Sequence, residues 1–346
     1  MKTTRLARTN ARYLTTLAGF IALSLALIVA LNLLVDPLWY FSGTRIGTRN
    51  YELNLRVSKI NLIRDDPDAY DCMIFGASVT TLLNASKFPG HKCFNAAFNG
   101  ATAEELAVYA RYFREIGVDP RLVIVGLDPA DLTSARPSNI QMPEFIKSGE
   151  SPPPVLRAYS SASVAWFSIQ STLDMGRPAT WYTRDFVCRL MPREPMTPAG
   201  MLDQSYSYDD FSQESRAVYA DLLDTWPQAR TIGYVPYVNA WVVAHWREEG
   251  VLGTYLETVH AFSGLFDEFY DFSAPSHITT DLMETNDGEH YSESANDLIA
   301  ARLSGDRSSL GISVHGRSYE EFETLYLGRV EELPTDIVNF VNTQAL

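Results

Sequence analysis

The chain has 346 residues, 46% of them hydrophobic, with 28 basic and 42 acidic side chains and a formal charge of −14. That apolar content excludes a disordered chain, and the acidic balance excludes a nonspecific nucleic-acid binder. The cations are unevenly placed, because Lys2, Arg5, Arg8 and Arg12 all precede the first acid, Asp36.

Behind those charges, residues 14–35 carry no charged side chain. The run is long enough to span a bilayer, longer than a signal-peptide core, and closed by no small-x-small cleavage site, so it reads as an uncleaved membrane anchor. Basic residues on its N-terminal flank place residues 1–13 in the cytoplasm, and Trp39, Tyr40 and Phe41 are expected as aromatic anchors in the far interface. Everything from about Gly43 onward is then expected outside the cytoplasm, attached to a cell inner membrane by a single pass.

Residues 36–70 form a lead-in. "YELNLRVSKINLIRDDPDAY" predicts a polar helix or extended segment ending in a turn-forming DDPD cluster. The regular pattern follows: "CMIFGAS", "KCFNAAFNG" and "RLVIVGLDP" have the length and composition of buried strands. Between the second and third lies "ATAEELAVYARYFREIGV", where Thr102 and Glu105 form a capping-box pattern and Leu106, Tyr109, Ala110 and Phe113 share one helical face. "RTIGYVPYV" and "FYDFS" supply a fourth and a fifth strand.

Strands alternating with helices require crossover connections and hence parallel pairing. The expected architecture over residues 71–307 is an α/β fold with a doubly wound parallel sheet of about five strands. Residues from about 136 to 229 break the rhythm with "SGESPPPV", a polyproline or loop segment, "SVAWFSIQSTLDM", which predicts a helix, and "LMPREPMTPAGM". They read as an insertion that caps the sheet edge and shapes the substrate entrance. The tail from 308 to 346 contains a helical stretch, "SYEEFETLYLGRVEEL", expected to pack back on the body.

Cys72, Cys93 and Cys188 are too few for a zinc site or a disulfide framework. Buried free thiols are the expectation, with a Cys72–Cys93 disulfide the alternative if those two strands are neighbours in an oxidising compartment. His91, His245, His260 and His277 read as structural, and no metal site is expected. Trp166, Trp181, Trp226, Trp241, Tyr182 and Tyr237 could stack on sugar rings, but buried packing is the commoner fate of such side chains. No nucleotide-binding glycine pattern is present, so no cofactor is expected.

Two segments carry the chemistry. "FGASVTTLL" puts Ser78 after small residues at the end of the first strand, where an open parallel sheet binds ligands. Such a serine is a nucleophile or a helix N-cap. "DGEHYSESANDLIAARL" puts Asp287 and His290 on a glycine-containing turn before a helix that Ser292 caps, so Asp287 either serves the helix dipole or orients the imidazole. A serine needs an imidazole to take its proton, and the imidazole needs a carboxylate to fix its tautomer.

Gly76-Ala77-Ser78, the stretch from Asn95 to Gly100, Gly126-Leu127-Asp128 and Asp287-Gly288-Glu289-His290 resemble the four sequence blocks of SGNH/GDSL hydrolases over residues 71–303. The anchor followed by Asp36-Pro37, "RVSKINL", "VIVGLDPADL" and "YDFSAPSHITTDLMETNDGEHYS" resemble the membrane-anchored subgroup related to alginate O-acetylation proteins. The resemblance implies a periplasmic serine esterase or O-acyltransferase acting on acyl groups of a cell-surface polysaccharide. Ser78 would be the nucleophile, His290 the base and then acid, and Asp287 its orienting partner. An acylated glycan or acyl donor would be the substrate, with polysaccharide-export proteins as partners and no nucleic acid.

One block departs from the family, because Asp128 stands where an asparagine donates to the oxyanion. A carboxylate donates no hydrogen bond unless protonated. Either Asp128 points away and structures its loop, or the oxyanion is held by the Ser78 backbone N–H with Asn99 or Gly100, Asn95 being a weaker third candidate. A noncatalytic glycan-binding or scaffold protein is the alternative reading.

Overall fold

The computed structural model describes residues 2–41, 46, 50–51, 54–134, 142–148, 153–173, 175, 180–183, 187–190, 197–203 and 210–344. The central sheet comprises β1 (Cys72–Phe75), β2 (Cys93–Asn95), β3 (Leu122–Gly126), β4 (Arg230–Val235), β5 (Glu268–Asp271) and β6 (Ile312–Ser313), in the order β2-β1-β3-β4-β5-β6. The first five are parallel. The sixth pairs antiparallel with β5 and corrects the expectation of about five strands. It comes from the tail, and a two-residue strand is too short to leave a pattern.

The named helices are α1 (Lys2–Val35), α2 (Leu55–Asp65), α3 (Ala103–Glu115), α4 (Val155–Tyr159), α5 (Ala162–Leu173), α6 (Arg216–Asp224), α7 (Ala240–Glu248), α8 (Leu252–Ser263), α9 (Glu293–Leu303) and α10 (Tyr319–Glu331). Strand alternation sorts the side chains into two layers. Cys72, Ile74, Leu122, Ile124 and Ile232 face α9, which buries Ala295, Ile299 and Leu303 against them. Met73, Phe75, Val123, Val125 and Phe269 face the other layer, built from α3, α6, α7, α8 and α10. Each such fully buried Ile or Phe contributes about 1.5–3 kcal/mol, so strands near-continuously apolar in sequence hold both layers.

Cys72 and Cys93 stand opposite each other in the β1–β2 register and form a disulfide. This corrects the free-thiol expectation for that pair, while Cys188 is a buried thiol, as expected. The bridge closes a sequence separation of 21 residues. A loop of that size restricts the unfolded chain by about 3 kcal/mol. The Cys72→Ala/Cys93→Ala double variant should therefore lose about 3 kcal/mol in denaturant unfolding, and an unchanged midpoint would contradict the bridge.

Residues 10–35 of α1 are long and apolar enough to cross a membrane. The chain turns out of the helix at Asp36, whose φ is 53°, and the buried Asp36 carboxylate accepts the backbone N–H groups of Tyr40 at 2.9 Å and Phe41 at 2.8 Å and the Tyr159 hydroxyl. This turn corrects the aromatic-anchor reading for Trp39. Trp39 is buried in protein and Tyr40 stands edge-on to Tyr159, so only Phe41 of the three is exposed.

The stretch read as an insertion does two different things. Helices α4 and α5 pack on α1, not over the sheet edge. Helix α6 lies within the body against α3 and buries Tyr219, Leu222 and Leu223. Much of "SGESPPPV" and "LMPREPMTPAGM" falls outside the described residues. A small antiparallel sheet of Asn50–Tyr51, Thr180–Tyr182 and Cys188–Leu190 ties the lead-in to this stretch.

The lead-in itself is helical. Asn54 caps α2 by accepting the Val57 N–H, and Ile60 and Ile63 are buried. On α3, Thr102 accepts the Glu105 N–H as the sequence pattern predicts. The Glu105 carboxylate is engaged elsewhere, by Arg56 at 2.5 and 3.0 Å.

Candidate active site

Strand order reverses between β1 and β3, and the loops leaving their carboxyl ends diverge there to open a crevice. Ser78 follows β1 and Asp128 follows β3 at that point. The approach to Ser78 is crowded, since a Cβ on Gly76 would lie 2.3 Å from Thr80 Oγ1 and 2.9 Å from the Gly126 carbonyl oxygen. Only glycine lets the chain pass between them.

Ser78 opens a 3₁₀ turn over Val79–Leu82, and its side chain makes no capping hydrogen bond. The N-cap reading of this serine is therefore not realised. Other groups hold the turn: Thr81 Oγ1 donates to the Ser78 carbonyl at 2.6 Å, and Asn95 Nδ2 donates to the Thr80 and Leu83 carbonyls at 2.9 Å each. Asn95 Oδ1 also accepts the Ala97 N–H at 3.0 Å. Those bonds make Asn95 a clamp beneath the serine and remove it from the list of oxyanion donors.

Thr80 is buried, and Tyr234 OH donates to its Oγ1 at 3.3 Å. A Cβ on Gly126 would meet Thr80 Oγ1 at 2.0 Å and Tyr234 OH at 2.9 Å. Gly126→Ala is thus expected to cost about 1–3 kcal/mol in denaturant unfolding, because the overpacked threonine can yield only by moving the Ser78 turn. Wild-type stability in that variant would show that the turn has slack.

The second half of the site is a tight loop. Thr285 and Tyr291 pair across it, the Asn286 N–H donates to the His290 carbonyl at 3.1 Å, and Thr285 Oγ1 accepts the Gly288 N–H at 2.9 Å. Gly288 has φ 90°, which suits glycine. Within this frame His290 Nδ1 lies 2.8 Å from Asp287 Oδ2. Asp287 Oδ1 accepts the backbone N–H groups of His290 at 2.8 Å and Glu289 at 3.1 Å.

Burial pushes the Asp287 carboxyl up, but the imidazole and the two N–H groups outweigh it and hold the group below the ordinary carboxylate range. It stays ionised at neutral pH. An ionised acceptor at Nδ1 fixes the Nδ1–H tautomer and assigns the lone pair to Nε2. Ser292 caps α9 by accepting the Ala295 N–H at 3.2 Å, as expected, so the helix start has its own cap and the Asp287 carboxylate goes to His290.

The two halves meet across one cleft, lined among others by Val79, Asp128, Pro129, Tyr237, Gly288 and Glu289. The direct neighbours of Ser78 and of His290 thus share a wall. The cleft is narrow and partly open to solvent, with a volume of about 20 Å³. No hydrogen bond joins the Ser78 hydroxyl to the His290 ring among the described residues.

Asp128 combines the two roles that the sequence left open. Its N–H donates to Asp131 Oδ2 at 3.0 Å and its carbonyl accepts the Asp131 N–H at 2.7 Å, which shapes the loop, yet the residue also lines the cleft. Burial raises Tyr234 far above the ordinary phenol range, more than its bond to Thr80 offsets, and the Asp128 charge adds to the rise. Asn99 and Gly100 stand on the loop after β2, Gly100 exposed with φ 61°.

That loop is held by cations the sequence reading passed over. Lys59, itself buried, donates from Nζ to the Ala97 carbonyl, and Arg56 donates from Nη2 to the Asn99 carbonyl at 3.3 Å. The signal was their spacing of three on one face of α2. Of the aromatics weighed for sugar stacking, Trp226, Trp241, Tyr182 and Tyr237 are buried, with Tyr237 also at the cleft, while Trp166 is exposed on α5. The sequence matches no model of a known protein family and no curated protein.

Proposed function

We propose that the chain is an extracytoplasmic serine esterase or O-acyltransferase of SGNH type, acting on small acyl esters of a cell-surface polysaccharide. The observation that carries this reading is the Asp287–His290 pair at 2.8 Å, in a loop whose Gly288 and Glu289 line the same cleft as Val79, the residue after Ser78. In the first half-reaction the Ser78 Oγ attacks the ester carbonyl while its proton passes to His290 Nε2. The C–O bond to the leaving alcohol then breaks, and the alcohol takes that proton. Water or a sugar hydroxyl reverses the sequence on the acyl-Ser78, regenerating the serine.

The cleft supports a small acyl group, because its apolar lining includes Val79, Val238, Val242 and Trp246. The compartment reading draws on the apolar α1, its basic N-terminal flank and the Cys72–Cys93 bridge, since disulfides persist in oxidising environments.

The test is turnover of p-nitrophenyl acetate and butyrate by the full-length protein, with and without an oligosaccharide acceptor, alongside labelling by a fluorophosphonate probe. Acetate is expected to be preferred and the wild type, not Ser78→Ala, to be labelled. Acceptor-dependent release assigns a transferase, whereas release into water alone assigns an esterase. Absence of labelling near neutral pH would instead favour a noncatalytic glycan-binding or export-scaffold role, the reading that Asp128 in the cleft supports.

A further inference from the structure

Helix α5 leaves large apolar side chains exposed beside small and hydroxylated ones. Its sequence, ASVAWFSIQSTL, contains no charged residue. The face turned into the structure carries Val164, packed with Leu38 and Tyr159, and the small or hydroxylated Ala165, Ser168 and Ser171. Its outward face carries Trp166, 51% exposed, and Leu173, 63% exposed, and Leu156 on the preceding α4 is 69% exposed. In water the large apolar side chains would face inward. Small residues at a helix contact with large ones outside is the arrangement of helices that pack within lipid.

The contact itself points the same way. α5 packs along the C-terminal turns of α1, where Asn32 is fully buried. Asn32 Nδ2 donates to the Tyr159 carbonyl at 2.8 Å, and Ser168 Oγ donates to Asn32 Oδ1 at 2.7 Å. An asparagine inside a bilayer-spanning segment is costly unless a neighbouring helix satisfies it, and here α4 and α5 do so. At 12 residues α5 is about 18 Å long, too short to span but suited to an interfacial position.

We infer that α4 and α5 form a wedge seated in the outer interface of the membrane that α1 spans, with Leu156, Trp166 and Leu173 in contact with lipid. The occupant is the bilayer, fixed by continuity, because the exposed face belongs to a helix packed directly on the spanning one. With α1 it gives the body two points of attachment, so the sheet edge carrying the cleft is held at a set height and angle above the surface. The inference rests on the membrane-anchor reading of α1.

The test is tryptophan fluorescence of the full-length chain in nanodiscs of phosphatidylcholine and phosphatidylglycerol, made with and without brominated phosphatidylcholine. Subtracting the Trp166→Phe spectrum isolates Trp166, and the exposed position makes that change harmless to folding. The isolated emission is expected to be blue-shifted, quenched by the brominated lipid and insensitive to aqueous acrylamide. Quenching by acrylamide alone would overturn the wedge, and resistance to both quenchers would overturn it in favour of a protein covering that face. Failure of the chain to stay in the discs would defeat the anchor reading and the wedge with it, a result distinguishable from a retained chain with a solvent-exposed Trp166.

Discussion

Asp287→Asn is expected to fold as the wild type does and to lose about four orders of magnitude in kcat for ester turnover. The asparagine Oδ1 can still accept the Glu289 and His290 backbone N–H groups that shape the loop. Its other atom, however, becomes an N–H₂ facing His290 Nδ1, where a carboxylate oxygen now lies 2.8 Å away. Two donors cannot share that contact, so the ring is driven to the Nε2–H tautomer and has no lone pair with which to take the serine proton. Circular dichroism and kcat on p-nitrophenyl acetate check both halves of the expectation. His290→Ala should fall as far, and combining the two should add little, because residues acting as a unit are non-additive. Turnover of Asp287→Asn within a few fold of wild type would remove Asp287 from the mechanism.

The same loop shows how much of the site could be read in advance. Asp287, His290 and the Ser292 cap were legible because their interactions are local, three residues apart or fewer, and a helix start announces itself in sequence. The five parallel strands were legible for the related reason that both faces are buried and each reads as an apolar run. What escaped was set by partners far along the chain. Glu105 has the spacing of a capping-box acid, yet its carboxylate goes to Arg56, 49 positions away, because a buried charge gains more from a cation than from one backbone N–H. The Cys72–Cys93 bridge depended on which strands are neighbours, and the packing of α5 on a distant partner, α1, that is long and apolar enough to cross a membrane. Alternation within one segment says which face is buried but not against what.

Asp128→Asn is the variant expected to gain activity. In the proposed reaction a negative charge develops on the carbonyl oxygen of the substrate, beside a cleft that Asp128 lines. An ionised carboxylate there opposes that charge, whereas an amide N–H₂ would donate to it. One oxyanion donor is worth about 10²–10³ in kcat, so the asparagine should raise the rate of Ser78 acylation by about 10²-fold. The loop should tolerate the change, since the Asp128 backbone N–H still donates to Asp131 Oδ2, its carbonyl still accepts the Asp131 N–H, and an asparagine side chain is as good an N-cap as aspartate. Burst kinetics with p-nitrophenyl acetate measure acylation directly. An accelerated burst would identify Asp128 as a brake on an otherwise complete site. An unchanged or slower burst in a normally folded protein would mean that the aspartate has work of its own in the cleft, such as gripping a sugar hydroxyl, and that the oxyanion is held by the Ser78 N–H with the loop of Asn99 and Gly100.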